Sequence, residues 1–442
     1  MSACVEQQRV GCAIGGIYTA LAIDRVMPIL HSGPGCQDNA GRVVAGVNGG
    51  QSMGPISESI IPCTDFCEAD VIFGGEGKLK KLIEKSIEYL DSDLFLVVDG
   101  CTAEIVGDDI EDVTRSFQGG SVPVIYSRLP GFKGNNLWGH SQVLQSIIEQ
   151  YLTPSSKRTP RLVNVWGIVP YYDTMWAATL EKVAALLREL GLEPNIIYGQ
   201  GSGVARLSRI PEAEFNLLLS PWVDLDVVQL LREKFGIPYF HYPVVPIGPT
   251  ETTRFIRALA DYAGLDKENA EAVIAREEER YYYYIQRHLR WLYACKALPK
   301  EFYINSSASA ALALTRYLVN DLGLLPVKIY IVDNVPDQHQ AQVREYFQDL
   351  ELEIKDFEVV FTSDGGLMGA ELKDKALVNP VSILGTAWDQ LLATKRKITF
   401  VSVSAPYGDT LVGNKTYFGY DGAISLFADF YSDMVTKGTG SV

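Results

Sequence analysis

Residues 94–104 read Leu94-Phe95-Leu96-Val97-Val98-Asp99-Gly100-Cys101-Thr102-Ala103-Glu104, and they carry the clearest sign of the fold class. Residues 94–98 are apolar throughout, which is typical of a strand buried on both faces of a parallel sheet. A glycine turn follows and places Cys101 at the start of the next segment. A buried strand followed by a turn and a helical segment predicts an α/β fold.

The same alternation of short strands and amphipathic helices returns in three blocks, each typical of an open parallel sheet with right-handed crossovers. We therefore predict an α/β protein of three Rossmann-like domains, residues 1–157, 158–297 and 298–442, with a linker at residues 153–160. The predicted strands are residues 70–75, 94–98, 162–167, 194–198, 215–219, 301–305 and 327–332, and the predicted helices are residues 78–89, 175–190, 227–235, 268–291, 308–322 and 338–350.

The composition describes a folded globular protein, because 47% of the 442 residues are apolar and 21% are charged. The formal net charge of −15 argues against nucleic acid or an anionic membrane surface as a partner. The sequence contains no apolar run of membrane-spanning length and no signal-peptide pattern at its start. We therefore expect a cytoplasmic protein.

Seven cysteines, six of them within the first 101 residues, point to metal or redox chemistry, since the cytosol would reduce disulfides. Cys12, Cys36 and Cys101 each lie in a glycine-rich turn. A [4Fe–4S] cubane takes four thiolates, and glycine neighbours let backbone N–H groups approach its sulfides. If these three cysteines bind such a cluster, a second chain must complete it at a subunit interface. The alternative is three small side chains that pack beside turns.

The other cysteines favour structural interpretations. Cys63 and Cys67 form a C-x3-C pair, a poor match to the C-x2-C spacing of zinc and redox sites. We interpret them as structural thiols, with an auxiliary metal or thiol role as the alternative. Cys4 and Cys295 are interpreted as incidental.

Three further motifs are also interpreted as structural. The acidic residues 107–112 are predicted to cap a helix. Residues 199–203, Gly-Gln-Gly-Ser-Gly, lack both the P-loop lysine and the dinucleotide glycine pattern, so we predict a flexible loop. The four tyrosines at residues 281–284 point around a helix axis and predict a packing or interface belt.

Several segments together resemble a subunit of nitrogenase component 1, over nearly the whole chain. Met27-Pro28-Ile29-Leu30-His31-Ser32-Gly33-Pro34-Gly35-Cys36 is similar to the family segment that carries the second P-cluster cysteine. Gly100-Cys101-Thr102-Ala103-Glu104 is similar to the third cysteine segment, and Cys12 falls where the first belongs. Other similar segments are Thr64-Asp65-Phe66 with Val71-Ile72-Phe73-Gly74-Gly75, Phe240-His241-Tyr242-Pro243, Gly248-Pro249-Thr250 and Phe418-Gly419-Tyr420-Asp421-Gly422-Ala423.

The resemblance implies three α/β domains and a pseudo-symmetric α/β pair of chains that shares an iron–sulfur cluster. Cys12, Cys36 and Cys101 would be this chain's ligands to it. Three cysteines from each chain suit a fused [8Fe–7S] P-cluster, and a 3+1 set suits a [4Fe–4S] cluster, as in the protochlorophyllide reductase branch. The implied partners are an α-like subunit in an α2β2 heterotetramer and an ATP-dependent iron protein.

Two departures from the catalytic α subunit imply a β-type chain. The segment matching the α subunit's cysteine tether, residues 216–222, has no cysteine, and Phe418 stands where its histidine tether would be. The catalytic centre is therefore expected in the partner, and no catalytic residue is assigned to this chain.

Further departures bear on the substrate. Gly131 stands where the nitrogenase β subunit has a serine, and the stretch around Asp65 and residues 74–79 is more similar to the α subunit. These departures favour a nitrogenase-like reductase of the methylthio-alkane reductase branch. The alternatives are nitrogenase proper, a cofactor-assembly scaffold, and a metal-free structural subunit.

Overall fold

A computed structural model describes residues 5–39, 61–294, 298–354, 357–407 and 412–438. Within them the chain forms three parallel sheets, one after another in sequence. The first has the order β1-β2-β3, from β1 (Val26–His31), β2 (Leu94–Asp99) and β3 (Val124–Arg128). Its helices are α1 (Ile17–Leu21), α2 (Glu68–Phe73), α3 (Glu76–Tyr89), α4 (Cys101–Val106), α5 (Ile110–Arg115) and α6 (Asn136–Ser146).

The second sheet has the order β5-β4-β6-β7. Its strands are β4 (Thr159–Trp166), β5 (Glu193–Asn195), β6 (Ala213–Leu219) and β7 (Tyr239–Tyr242). The helices that follow in this part of the chain are α7 (Trp176–Glu189), α8 (Val204–Arg209), α9 (Leu225–Phe235), α10 (Gly248–Ala263) and α11 (Lys267–Ala294).

The third sheet has the order β10-β9-β8-β11-β12. Its strands are β8 (Glu301–Ser306), β9 (Leu325–Ile331), β10 (Glu358–Phe361), β11 (Val381–Gly385) and β12 (Thr399–Ser402). The accompanying helices are α12 (Ala308–Arg316), α13 (Asp337–Tyr346), α14 (Leu367–Leu372), α15 (Ala387–Arg396) and α16 (Gly419–Gly438).

The three-sheet α/β architecture confirms the predicted fold class. Every pairing within the three sheets is parallel, and the strands predicted at residues 94–98 and 162–167 correspond to β2, which is buried throughout, and β4, which is buried from Leu162 onward. Buried side chains from all three sheets, such as Leu96, Leu217 and Ile304, belong to one continuous apolar core. The domain boundaries remain a prediction, and residue 297 lies outside the described residues.

Two strand predictions need correction. Residues 70–75 were expected to form a strand, but they lie in α2 and the turn after it. The helix begins because Asp70 accepts a hydrogen bond from the N–H of Cys67 at 2.8 Å, a reciprocal cap that outweighs the β propensity of the apolar residues. Phe73 is 84% exposed, so the run is not a core strand. The strand predicted at residues 194–198 is the shorter β5.

The helices of the described residues were also compared with the length and apolarity needed to cross a bilayer. None of them meets both requirements.

Candidate functional site

Cys12 and Cys101 lie on either side of Gly131. Cys12 precedes the short 3₁₀ turn Ala13–Gly16, and Cys101 is the first residue of α4, directly after the glycine turn that ends β2. The N–H of Gly131 donates a hydrogen bond to Cys101 Sγ at 3.1 Å. A Cβ built on Gly131 would overlap Cys12 Sγ and would lie 3.4 Å from Cys101 Sγ. Only glycine therefore fits between the two sulfurs in this arrangement.

Cys36 is joined to the same site through Ser32. The Ser32 hydroxyl donates a hydrogen bond to Cys36 Sγ at 3.3 Å. The same hydroxyl packs so closely on Gly100 that a Cβ there would overlap it. Burial raises the pKa of the Cys12 thiol, and the neighbouring thiols of Cys101 and Cys36 raise it further. The structure thus brings the three sequence-predicted cysteines together.

The three sulfurs lie at the protein surface. Cys12 is exposed, and Cys36 and Cys101 are partly exposed. Within the described residues, no group of three or more His, Cys, Asp and Glu side chains could hold a single metal ion. A polynuclear cluster has a different requirement, because each thiolate binds its own iron. Separated sulfurs that face outward suit a cluster which a second chain completes.

A charged network holds the loop that carries Gly131. Glu104, on α4, accepts hydrogen bonds from Lys133 at 2.5 Å and from Arg128 at 3.3 Å, and the Lys133 contact lowers the pKa of Glu104. Asp99 accepts from the N–H of Leu129 at 2.7 Å, and burial raises its pKa to about 7. These contacts fix residues 128–133 against α4, which aims the Gly131 N–H at Cys101.

A second set of polar side chains, His31 with Asp108 and Thr64, supports the loop that carries Cys36. His31 is fully buried at the end of β1, where its Nε2 lies 2.9 Å from Asp108 Oδ2 and its Nδ1 lies 3.2 Å from Thr64 Oγ1. Asp108 also accepts the N–H of Gly75 at 2.9 Å. Burial lowers the pKa of His31. Sequence reasoning missed this group, although His31 stands in the quoted segment that ends in Cys36.

Cys63 lies beside the site and Cys67 at its periphery. The Cys63 thiol donates to the carbonyl of Ser32 at 3.4 Å and accepts the N–H of Asp65 at 3.4 Å. Burial raises its pKa. Cys67 is exposed and caps α2. These contacts agree with structural thiols, whereas Cys4 and Cys295 lie outside the described residues.

The other motifs have structural partners. Asp109 caps α5 by accepting the N–H of Asp112 at 3.1 Å, which confirms the predicted cap. In the glycine-rich segment 199–203, the N–H of Gly201 donates to Asp24 at 2.6 Å. The Asp24 carboxylate therefore already accepts the Gly201 N–H that a phosphate-binding loop would offer to a phosphate. Among the four tyrosines, Tyr281 is buried and Tyr283 is 75% exposed.

Phe418 lies on the wall of an interior cavity that Cys12 also lines. Ser220, in the segment aligned with the cysteine tether, is buried behind that wall, 3.4 Å from the hydroxyl of Ser309. A phenyl ring cannot ligate a metal, and Ser220 is held by Ser309. Neither position offers the ligand that the resemblance assigns to a catalytic α subunit.

The model of the family described as "Nitrogenase component 1 type Oxidoreductase" matches residues 12–434. The chain belongs to this family. Its cysteine site and its three sheets therefore belong to a nitrogenase component 1 type oxidoreductase.

The curated relatives include subunits of a light-independent protochlorophyllide reductase and of a nitrogenase. One of the subunits of the light-independent protochlorophyllide reductase of Bradyrhizobium sp. (strain ORS 278) is 26% identical over 79% of this chain, and the match spans only 65% of that relative's length. The nitrogenase molybdenum-iron protein alpha chain of Methanococcus maripaludis is 25% identical over 96% of this chain and 86% of its own.

The fold has a counterpart among solved structures. The structure "Nitrogenase Cp1 at pH 6.5" superposes with a TM-score of 0.82 at 18% identity, covering 99% of this chain and 94% of the other. At this identity the likeness concerns the fold alone, and it confirms the α/β architecture of parallel-sheet domains.

Proposed function

We propose that this chain is the β-type subunit of a nitrogenase-like reductase and holds half of an iron–sulfur cluster at the interface with an α-like partner. Cys12, Cys36 and Cys101 each supply one thiolate. The observation that carries the proposal is the grouping of three exposed or partly exposed cysteines, two beside Gly131 and one beside Ser32, with N–H and hydroxyl donors already aimed at Cys101 and Cys36.

The donor set suits a cluster. A thiolate ligand keeps lone pairs that accept hydrogen bonds, and such bonds together with burial tune the reduction potential. The N–H of Gly131 and the hydroxyl of Ser32 supply these bonds at Cys101 and Cys36. When bound, the cluster would store and pass single electrons. The chain's own residues hold it, orient it and leave its outer side for the partner.

The finer proposal is a P-cluster type [8Fe–7S] centre, with [4Fe–4S] as the alternative. Six thiolates, three from each chain, support the fused form. Gly131 supports a centre with no serine ligand from this loop, because a side chain there would overlap Cys12 Sγ.

The partner would hold the metallocluster at which the substrate is reduced, and an ATP-dependent iron protein would deliver electrons to the α2β2 assembly. Phe418 and Ser220 support this division of labour, since this chain offers no tether at either position. We propose reductive cleavage of a small substrate, such as the C–S bond of a methylthio-alkane. Dinitrogen reduction by nitrogenase proper and a cofactor-assembly role are the alternatives.

The test is anaerobic purification of the chain with its co-eluting partner, followed by iron and sulfide analysis and EPR in reduced and oxidised samples. About eight interface irons per α/β pair, beyond any cofactor iron, would support the fused centre. About four would replace it with the single cubane, and none in a folded complex would overturn the cluster proposal. Turnover of a methylthio-alkane or of dinitrogen by the same complex with its iron protein separates the two substrates.

A further inference from the structure

A cavity of about 400 Å³ lies between the second and third sheets and the N-terminal segment, and its lining includes the exposed residues Gly11, Cys12 and Asn39. Its volume falls within the range of small-molecule sites, roughly 300–1,000 Å³. Residues that follow strands line much of it: Val169 after β4, Val245 after β7, Ser307 after β8 and Ser404 after β12. In open α/β sheets, ligands bind at this carboxyl end of the strands.

One wall presents three polar groups without protein partners. They belong to consecutive residues of the loop after β4: Tyr172, Asp173 and Thr174. Asp173 Oδ2 accepts the N–H of Val169 at 2.6 Å, but among the described residues Oδ1 has no hydrogen-bond partner. The Tyr172 hydroxyl and Thr174 Oγ1 also lack one within that part of the chain.

Tyr172 and Asp173 are partly exposed at the cavity, whereas Thr174 is buried. Burial raises the pKa of Asp173 to about 7 and raises the pKa of Tyr172. An enclosed polar group without a hydrogen bond costs about 1–3 kcal/mol. The accessible groups are those of Asp173 and Tyr172, and a molecule in the cavity can supply the hydrogen bonds that they lack.

The cationic groups of the wall are already engaged. The Arg9 guanidinium pairs with Asp389 at 3.4 Å and stacks on Trp388 with 4.5 Å to the ring centroid. His140 Nδ1 lies 2.6 Å from Thr19 Oγ1, and its Nε2 lies 3.1 Å from Asp224. The lining therefore offers an acid and hydroxyls to a ligand, and it offers no free cation among its described residues.

Most of the remaining lining is apolar, and it includes Ile14, Ile168, Leu314, Val403 and Phe418. The described residues contain no set of three side chains that could hold a metal ion there. An organic molecule with an apolar body fits this lining, whereas an anion or a metal cofactor does not.

We propose that this cavity binds an uncharged or weakly basic organic molecule, whose apolar body fills it and whose N–H or O–H group meets Asp173 and Tyr172. Cys12 lines the same cavity, so the bound molecule lies close to a proposed cluster ligand. The binding proposal does not depend on that cluster.

The test uses 4-phenylimidazole, which has an apolar ring and a weakly basic N–H group. It is titrated calorimetrically into the full chain, purified with its partner. We expect one site per chain. Asp173→Asn should weaken binding about tenfold or more, because the acceptor for the ligand N–H becomes a donor. Ala310→Phe, which fills the cavity from α12, should abolish binding. Val378→Phe, at a 95% exposed position, is the matched control and should change nothing.

Biphenyl-4-carboxylate tests the charge preference and should bind at least about tenfold more weakly than 4-phenylimidazole. The proposal is overturned by absence of 4-phenylimidazole binding at concentrations on the order of 1 mM. It is equally overturned if both variants bind like the wild type, or if the anion binds as well as the base. If Ala310→Phe does not fold, the proposal is judged by the affinity of Asp173→Asn for 4-phenylimidazole and by the affinity of the wild type for biphenyl-4-carboxylate. Iron content does not enter any of these outcomes, so failure here and failure of the cluster proposal are distinguishable.

Discussion

The cysteine site and the interior cavity share Cys12, yet they are built in opposite ways. At the cysteine site the three cysteines are exposed or partly exposed, and the buried His31 behind them is paired with Asp108. The cavity lies between sheets instead, and on its lining Asp173 Oδ1 has no hydrogen-bond partner among the described residues. We propose that another protein chain completes the first site and that a small molecule occupies the second.

The largest expected effect comes from a substitution that should disable the cysteine site and leave ligand binding in the cavity unchanged. Cys101→Ala removes one of the three proposed thiolate ligands and the acceptor of the Gly131 N–H. The complex should lose most of its interface iron and its electron transfer, while 4-phenylimidazole binding in the cavity persists. Cys67→Ser, at an exposed cysteine that caps α2, is the matched control and should keep its iron. Full iron content and activity in Cys101→Ala would show that the cysteines merely pack.

A smaller change tests the geometry of the cysteine site alone. Gly131→Ala would push a methyl group into Cys12 Sγ. Changes next to metal ligands typically lower metal affinity by about 10–100-fold, and we expect reduced cluster content and an altered EPR spectrum. Gly77→Ala, on α3, is the control, because a Cβ at Gly77 meets no atom within 4 Å. An unchanged spectrum in Gly131→Ala would mean that Cys12 does not ligate from this position.

The sequence was a good guide to the sheets and a poor one to contacts between distant segments. The apolar runs of β2 and β4 predicted buried strands because burial on both faces demands continuous apolarity. The apolar residues of α2 led to a wrong strand prediction, because a local cap at Asp70 places them in an exposed helix.

The sequence named the three cysteines that the fold brings together but not their geometry, and their role as cluster ligands stays a prediction. Glycine-rich turns identified Cys12, Cys36 and Cys101, whereas the Ser32 hydroxyl and the Gly131 N–H reach the sulfurs only after folding. The sequence pattern did not predict the cavity, although polar residues follow β4. That Asp173 Oδ1 would lack a partner depends on how the sheets meet, which no local pattern encodes.

The next prediction concerns the support beneath the cysteine site. Asp108→Asn replaces a buried carboxylate that accepts from Gly75 and pairs with His31. We expect a loss of about 1–3 kcal/mol in the free energy of unfolding, measured by urea titration. Asp109→Asn is the control, because asparagine caps a helix as well as aspartate does. Equal stability of the two variants would mean that the buried group does not support the site.

The smallest expected effect is a difference in pH dependence between the two regions. The pKa of Asp173 is raised to about 7, so the folded chain holds that proton more tightly than the unfolded chain. Its contribution to stability is full below about pH 4 and is lost as the pH rises through about 7. The pKa of His31 is lowered instead, so its effect has the opposite direction: stability is lost as the pH falls below about 6.5.

Asp173→Asn should therefore gain stability relative to wild type between about pH 4.5 and 8, by about 1 kcal/mol or more. Urea titrations of both proteins across this range measure the gain. The slope should lessen without vanishing, because the pKa of Asp321 is also raised, to about 7, and that residue is unchanged. Parallel stability curves for variant and wild type would show that Asp173 titrates as it does in the unfolded chain, and that the cavity wall is open to water.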